Sequence, residues 1–419
     1  MHLRHRQSCR VCGSACLTKV IDLGDQYLQG SFVKADQPSP PLRRLPTSLV
    51  RCDPMRDESA CGLLQMEYTV PPSILYSSYW YRSGTNQTMR DHLGGIVEQA
   101  TAMSSQPTRL VLDIGCNDGT LLSNYPTEVE KVGIDPSVIG REVNLPNTRV
   151  INDLFPCKEL TSVLGGRRFD VVTAIAMFYD LEAPVDFVRN IAEVLAPEGL
   201  WVFEMSYMPT MLKKTSYDTI CHEHLEYYSL AVIERILEAA NMKVVRAELN
   251  DSNGGSLRCF ATHSTNFSYK NADFQTAITR LRESEFDLAL DTDTPYRQFQ
   301  ERINVHREEL SQLLWGLKRE GKKIHIYGAS TKGNTILQWC GLDNRVIDYA
   351  AERNPDKFGA KTLGTDIPII SEADSRAMKP DFYLVLPWHF REEFVQREKD
   401  TVAGGTGLIF PLPTIEIYR

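Results

Sequence analysis

Val111-Leu112-Asp113-Ile114-Gly115-Cys116-Asn117-Asp118-Gly119 is an apolar run that breaks into a turn with glycines four residues apart; Thr120, Leu121 and Leu122 then begin an amphipathic segment. A short apolar run bounded by glycine reads as a buried strand. Glycine lets the main chain approach a ligand that a Cβ would exclude. A helix starting after the turn would offer its N-terminus to negative charge. The spacing is G-x-x-x-G, not the dinucleotide G-x-G-x-x-G, and taken alone any tight strand-to-helix turn can carry such glycines. About twenty residues on, Val132-Gly133-Ile134-Asp135 puts an acid at a strand end, where it can accept hydrogen bonds from both hydroxyls of a ribose. Val150-Ile151-Asn152-Asp153-Leu154-Phe155 follows, with an acid and an apolar neighbour.

In this order and spacing, the three elements resemble the cofactor site of the class I S-adenosylmethionine (SAM) methyltransferases. The resemblance implies that Asp113, Gly115, Asn117 and Gly119 hold the methionine end of SAM. It places Asp135 at the ribose, Asp153 and Phe155 at the adenine, and Ala176 at the end of the following strand.

A chain of 419 residues has room for two or three domains. With 42% hydrophobic and 24% charged residues it has the composition of a globular protein, and no apolar run approaches the roughly 20 residues of a membrane helix. Met1 to Gln7 is basic but no apolar core follows, so a secretion signal is not expected and the cytoplasm is the expected location. A net charge of −8 argues against a dedicated nucleic-acid binder.

Ten cysteines with no secretion signal favour metal over disulfides. Cys9-Arg10-Val11-Cys12 is a C-x-x-C knuckle; Cys52 and Cys61 form a second, stretched pair with Asp53 to Ala60 between them. Four thiolates suit a tetrahedral structural zinc, with Cys16 as a competing ligand. Residues 1–70 therefore read as a zinc-stapled unit, including a proline-rich crossing from Pro38 to Pro46. A segment this short needs such a staple.

Residues 71–265 alternate strand and helix. Strands are expected at Leu110–Ile114, Lys131–Ile134, Asp170–Ile175, Gly199–Glu204 and Lys243–Leu249, and helices at Val185–Leu195 and Leu230–Ala240. The alternation implies an α/β fold with a parallel, doubly wound sheet. Residues 266–419 start as a charged helical linker, in which Phe299, Ile303, Leu310, Leu313, Leu314 and Leu317 form a packing stripe. A second Rossmann-like unit follows, with strands at Lys323–Tyr327, Arg345–Ala350 and Asp381–Leu386 and a helix from Thr335 to Cys340. Its turn Gly328-Ala329-Ser330-Thr331-Lys332-Gly333-Asn334 lies where a strand-to-helix connection could hold phosphates.

The chemistry concentrates after the fourth strand. Glu204-Met205-Ser206-Tyr207 comes first, then Tyr217-Asp218-Thr219-Ile220-Cys221-His222-Glu223-His224-Leu225-Glu226. His-Glu-His lacks the H-E-x-x-H spacing of a helical zinc site, and a histidine beside a carboxylate suits proton abstraction near neutral pH. Histidines satisfied within packing remain the alternative reading.

The zinc knuckles, the glycine turn, the D-x-x-x-x-E-H stretch, the N-G-G-S-x-R segment from Asn253 to Arg258 and the G-A-S-T-K-G-N turn occur in that order. Over nearly the whole chain this resembles the three-domain, zinc-containing bacterial nucleotide-sugar C-methyltransferases, typified by the tetronitrose C3-methyltransferase. The resemblance implies a SAM-dependent C-methyltransferase of a branched-chain deoxysugar pathway, with a nucleotide-linked 4-ketosugar as substrate. Its C3 would be methylated after enolisation by an active-site base. His224 is implied as base beside Glu223 and His222, with Tyr79 and Tyr81 in the N-terminal substrate loop. Substrate contacts are implied at Tyr179, Lys332, Asn334, Glu352, Lys357 and His389. Cys221 and His222 stand where the family has Tyr and Asp, and Tyr179 stands where a His is expected.

Two rival readings make different demands. A nucleic-acid methyltransferase with a zinc-knuckle reader needs a basic, aromatic-lined face and leaves the second Rossmann-like unit without a task. A protein that only holds SAM or a nucleotide has no need of His222-Glu223-His224.

Overall fold

A computed structural model describes residues 3–34, 42–75 and 81–419, so the proline-rich crossing up to residue 41 lies outside the described residues. The chain folds around three main sheets.

The N-terminal sheet is antiparallel, built from Leu17–Gln26, Leu45–Cys52 and Leu64–Met66. Its fourth strand, Glu226–Tyr227, comes from far along the chain and pairs Glu226 with Gln65. The stretch holding Glu223 and His224 therefore ends by docking onto the N-terminal unit.

The middle sheet has seven strands. Thr148–Ile151, Glu130–Ile134, Leu110–Ile114, Phe169–Ile175 and Leu195–Ser206 run parallel in that spatial order, and an antiparallel pair, Ser256–His263 and Met242–Asn250, completes it. All five strands expected from the sequence are present, with ends shifted by a residue or a few. The sheet is mixed, not wholly parallel. The connection between its last two strands is one short turn, Ser252–Gly254, with left-handed backbone at Asn253 and Gly254. A turn that short cannot make a parallel crossover, which takes a dozen or more residues.

The helix expected after the first strand does not form. Gly119 leads only into the 3₁₀ turn Leu122–Asn124, and Pro126 with the next strand at Glu130 leaves no length for more. Helices Gln87–Met103, Pro184–Val194 and Leu230–Glu238 cover the sheet.

Ala272–Asp287 and Thr294–Arg319 form the helical connection. Phe299, Ile303, Leu310 and Leu314 of the packing stripe are fully buried, and Leu313 and Leu317 partly so. The C-terminal sheet has five parallel strands, Ile369–Ser371, Tyr349–Glu352, Ile324–Tyr327, Phe382–Val385 and Gly407–Phe410, and an antiparallel edge strand, Glu416–Tyr418. The strand expected at Arg345–Ala350 begins later, because the Asp343 side chain accepts from the Arg345 amide and holds 343–347 as a turn. The helix expected from Thr335 begins at Thr331, because the Ser330 hydroxyl caps the Gly333 amide. Among the described residues no helix is long and apolar enough to cross a membrane.

Candidate active site and metal centre

The carboxyl ends of the middle and C-terminal parallel strands face one cavity of about 540 Å³, which Gly30 and Phe32 of the N-terminal unit also line. Ligands of open α/β sheets bind in such a crevice.

On the middle-domain wall, Gly115 has φ +75°, and a Cβ there would crowd the Met177 side chain at 3.3 Å. Asp135 anchors the turn: its two carboxylate oxygens accept from the Asn117 and Ser137 amides, both at 2.8 Å. Each oxygen keeps a lone pair for a ligand hydroxyl. Asp153, Leu154 and Phe155 line the far end, where Phe155 packs edge-on against Phe187. Ala176, with φ +54°, also lines the wall. Asp113 lines it too, hydrogen-bonded by Thr173 at 2.6 Å, and burial pushes its carboxyl up to about 7. The set fits an adenosyl group: hydroxyl acceptors at a strand end, and an acid beside apolar surface at one end. Gly119 is not part of this wall; a Cβ on it would meet Val143 and Leu145, so it serves packing.

At the junction of the three units stand Glu223 and His224. His224 Nδ1 lies 2.7 Å from the Thr219 carbonyl oxygen. A carbonyl only accepts, so Nδ1 carries the hydrogen and Nε2 keeps the lone pair. The ring leans on Tyr179 with centroids 4.3 Å apart. Burial, and then the Lys332 ammonium, push His224 down to about 3, which leaves a neutral imidazole. Burial pushes Glu223 the other way, to about 7, against a hydrogen bond from Thr331. Gly30 passes so close that an added Cβ would overlap the Glu223 carboxyl.

The C-terminal wall brings Lys332, Glu352, Lys357 and His389 to the cavity. Lys332 Nζ donates to the Asn253 carbonyl at 2.7 Å, and burial lowers its proton affinity against the pull of Asp218. Asp218 in turn accepts from the Trp388 indole at 2.9 Å, which ties the two domains across the site. Lys357 bonds the Ala329 carbonyl and approaches Glu352 at 3.4 Å. Burial holds His389 neutral, down to about 3. The amide of Gly333, offered by the sequence to phosphates, is taken by Ser330, and a Cβ on Gly333 would meet Leu386.

Two further expectations do not reach the cavity. His222 is 1% exposed and clamped by Gln29 at 2.6 Å and Thr47 at 3.2 Å, so it packs the N-terminal unit instead of facing substrate. The His224 amide bonds the Cys221 carbonyl at 3.2 Å, so residues 221–224 form a turn, which sends His222 to the N-terminal unit and His224 to the cleft. Asn334 lies one turn into its helix and donates to the Gln29 carbonyl at 2.6 Å. Tyr81 lines the cavity, whereas Tyr79 lies outside the described residues.

His92, which no motif marks in the sequence, lines the cavity with Glu204 and bonds it at 2.6 Å; Arg258 pairs with the same carboxylate at 2.8 Å. Arg353, Phe390, Glu393 and Arg397, equally unmarked, line the C-terminal wall. A lone histidine in a helix, 112 positions from its partner, carries no motif to find it by.

Away from the cavity, the sulfur atoms of Cys9, Cys12, Cys52 and Cys61 all lie within 4.8 Å of one another, with Cys9–Cys61 and Cys12–Cys52 at 3.4 Å. A tetrahedral zinc with bonds of about 2.3 Å places its sulfurs about 3.8 Å apart, so the donor set fits. Cys16 is not part of the cluster.

Three family descriptions match the chain in order. Residues 9–76 match a zinc binding domain, residues 89–247 a methyltransferase domain, and residues 251–413 a C-methyltransferase C-terminal domain. The C-methyltransferase NovU of Streptomyces niveus is 26% identical over 426 residues, covering 98% of this chain and 96% of that protein. A SAM-dependent methyltransferase from Clostridium acetobutylicum ATCC 824 is similar in structure at 12% identity and a TM-score of 0.34, over 42% of this chain and 92% of that one. The magnesium protoporphyrin IX methyltransferase ChlM from Synechocystis PCC 6803, with bound SAM, is similar at 15% identity and a TM-score of 0.31, over 42% and 79% of the two chains.

Proposed function

We propose, from the premise that this chain is a three-domain SAM-dependent C-methyltransferase with a zinc-binding unit, that it methylates a nucleotide-linked 4-keto-deoxysugar at C3. SAM, when bound, supplies an electrophilic methyl group on a sulfonium. Asp135, Asp153 and Phe155 hold its adenosyl part, and Gly115 with Asn117 its amino-acid part. The thiols of Cys9, Cys12, Cys52 and Cys61 hold the zinc, which is structural.

Carbon is a poor nucleophile until a proton beside the carbonyl leaves. His224 Nε2 accepts that proton. The Glu223 carboxyl, whose acidic form burial extends up to about pH 7, donates a hydrogen bond to the carbonyl oxygen as it gains charge. Lys332 adds a positive charge to the same wall. Tyr179 and the Thr219 carbonyl hold the imidazole in one tautomer, and Tyr81 lies beside the entrance. Glu352, Lys357 and His389 line the side on which the sugar nucleotide is placed. The observation that carries the reading is the neutral, Nδ1-protonated imidazole next to a raised carboxyl, in a cleft shared by both α/β units.

The division at residue 265 is supported by the strand Ser256–His263, which completes the middle sheet. The six cysteines outside the zinc set are free thiols, which suits a reducing, cytoplasmic setting.

The test is labelled methyl transfer from SAM to NDP-4-ketosugars, together with solvent deuterium exchange at C3 with S-adenosylhomocysteine in place of SAM. The wild type exchanges and methylates; His224→Ala does neither and still binds SAM. Exchange that persists in His224→Ala overturns the base assignment, and no transfer to any 4-ketosugar overturns the substrate.

A further inference from the structure

The metal knuckle and the catalytic segment meet at a buried ion pair that the reaction as described does not use. Arg10 lies between the zinc ligands Cys9 and Cys12, and its side chain is wholly buried. It donates to Gln65 Oε1 at 3.1 Å, to the Met66 carbonyl at 3.0 Å and to Thr69 Oγ1 at 2.6 Å. Its Nε lies 3.5 Å from Glu226 Oε1, and the Glu226 side chain is equally buried. Neither Glu226 carboxylate oxygen has a side-chain hydrogen bond among the described residues; burial disfavours its charge, and the Arg10 guanidinium and the Leu181 main chain favour it. Glu182 and Arg6 extend the cluster.

Glu226 follows His224 by two residues. Between them, the Leu225 carbonyl accepts from the Met66 amide at 2.9 Å, and the Leu225 amide donates to the Tyr179 carbonyl at 2.8 Å. The segment is therefore held on one side by the strand Leu64–Met66 and on the other by Tyr179, the residue on which the His224 ring rests. The second zinc pair brackets the same place: Cys52 ends one strand of this sheet, and Cys61 lies just before Leu64–Met66. Buried charge without full hydrogen bonding is costly for stability alone, which favours a positioning role for it.

We propose that Arg10 is a positioning residue for methyl transfer: its guanidinium, fixed by the zinc knuckle, clamps Glu226 and thereby sets the loop that presents Glu223 and His224. The proposal rests on the reading of those two as the reacting pair. It makes the zinc centre part of the active site's support, since the metal orders the knuckle, the knuckle orders Arg10, and Arg10 orders the loop. A misplacement of about 1 Å in a reacting group can cost about 100-fold in rate.

The test uses full-length zinc-loaded protein and the variants Arg10→Met, Glu226→Gln and their combination. Zinc content, SAM affinity by calorimetry, kcat and KM are measured, together with the ¹⁵N imidazole signals of His224, assigned by their loss in His224→Asn. In Arg10→Met, zinc and SAM binding are expected within about twofold of the wild type, with kcat down about tenfold or more and KM changed far less. The His224 signal changes from a fixed Nδ1–H tautomer to an averaged one. The double variant regains part of kcat, because it leaves no lone buried carboxylate.

Unchanged kcat in Arg10→Met overturns the proposal. So does a lowered kcat with an unaltered His224 spectrum, which reduces Arg10 to fold support. Should Arg10→Met fail to fold, the near-isosteric Glu226→Gln is read the same way, and an unaltered His224 spectrum there overturns the proposal. The imidazole readout needs no turnover, so failure of the ketosugar assay on wild-type protein counts against the substrate reading alone.

Discussion

Replacing Gly30 with alanine isolates the placement of Glu223. Gly30 does not require the left-handed backbone of many turn glycines, so alanine adds a Cβ and no backbone strain. That Cβ would lie 2.8 Å from the Glu223 Cδ, nearer still to Oε1, and 3.2 Å from Thr331 Oγ1, where real contacts essentially never fall below 3.0 Å. The carboxyl must give way, and a misplacement of about 1 Å in a reacting group can cost about 100-fold in rate. That loss is close to 2.7 kcal/mol of transition-state stabilisation. The stability cost of such overpacking is about 1–3 kcal/mol. The added Cβ meets Glu223 and Thr331 and neither Asp135 nor Asp153, so SAM affinity is expected to hold within about threefold, well under the 1.4 kcal/mol of a tenfold change. Steady-state kinetics with labelled SAM, calorimetric SAM binding and a thermal melt separate the three quantities. Gly30→Ala with wild-type kcat, or with SAM affinity lost in parallel with kcat, refutes the placement.

Because burial raises Glu223 to about 7, its acidic form persists far above the ordinary carboxyl range and is lost as pH rises through that value. The limiting rate should therefore fall through about pH 7, and Glu223→Gln, which keeps a neutral donor, should flatten the profile; an inflexion surviving in Glu223→Gln contradicts the assignment. Asp135→Asn removes the charged acceptor proposed for the ribose hydroxyls, and bonds to charged groups are worth about 1.5–3 kcal/mol; calorimetry should show SAM binding weakened at least about tenfold, and an unchanged Kd would exclude the contact. Cys52→Ser should lose zinc by atomic absorption and melt at lower temperature, because the metal's binding energy is folding energy in a unit this small; retained zinc would remove Cys52 from the ligand set.

The strands were legible because each is an apolar run ending in a polar residue or glycine: Leu110–Ile114 before Gly115, and Glu130–Ile134 before Asp135. The missing helix after Gly119 was not legible, since Thr120-Leu121-Leu122 has the right pattern and only the shortness of the connection defeats it. Ser256–His263 was overlooked for a related reason: the alternation of strand and helix suggested a crossover, while Asn253-Gly254-Gly255 makes a hairpin. Sequence could offer His222, Glu223 and His224 together but could not separate His224 from His222, because the turn at 221–224 that points them apart is matched by Gln29 and Thr47, 193 and 175 positions away. Arg10 was hidden in plain view as a spacer between two cysteines.

The loan of Glu226–Tyr227 to the first sheet has a consequence for recombination. A crossover near residue 70 that joined this N-terminal unit to the remainder of a distant relative would separate Gln65 and Arg10 from the strand they receive. Such a chimera would keep every metal ligand and every cofactor contact and still be expected to turn over poorly. Exchange of parts among these enzymes should therefore succeed only when the graft carries residues 221–228 along with the knuckles, so that two stretches distant in the gene are inherited as one unit.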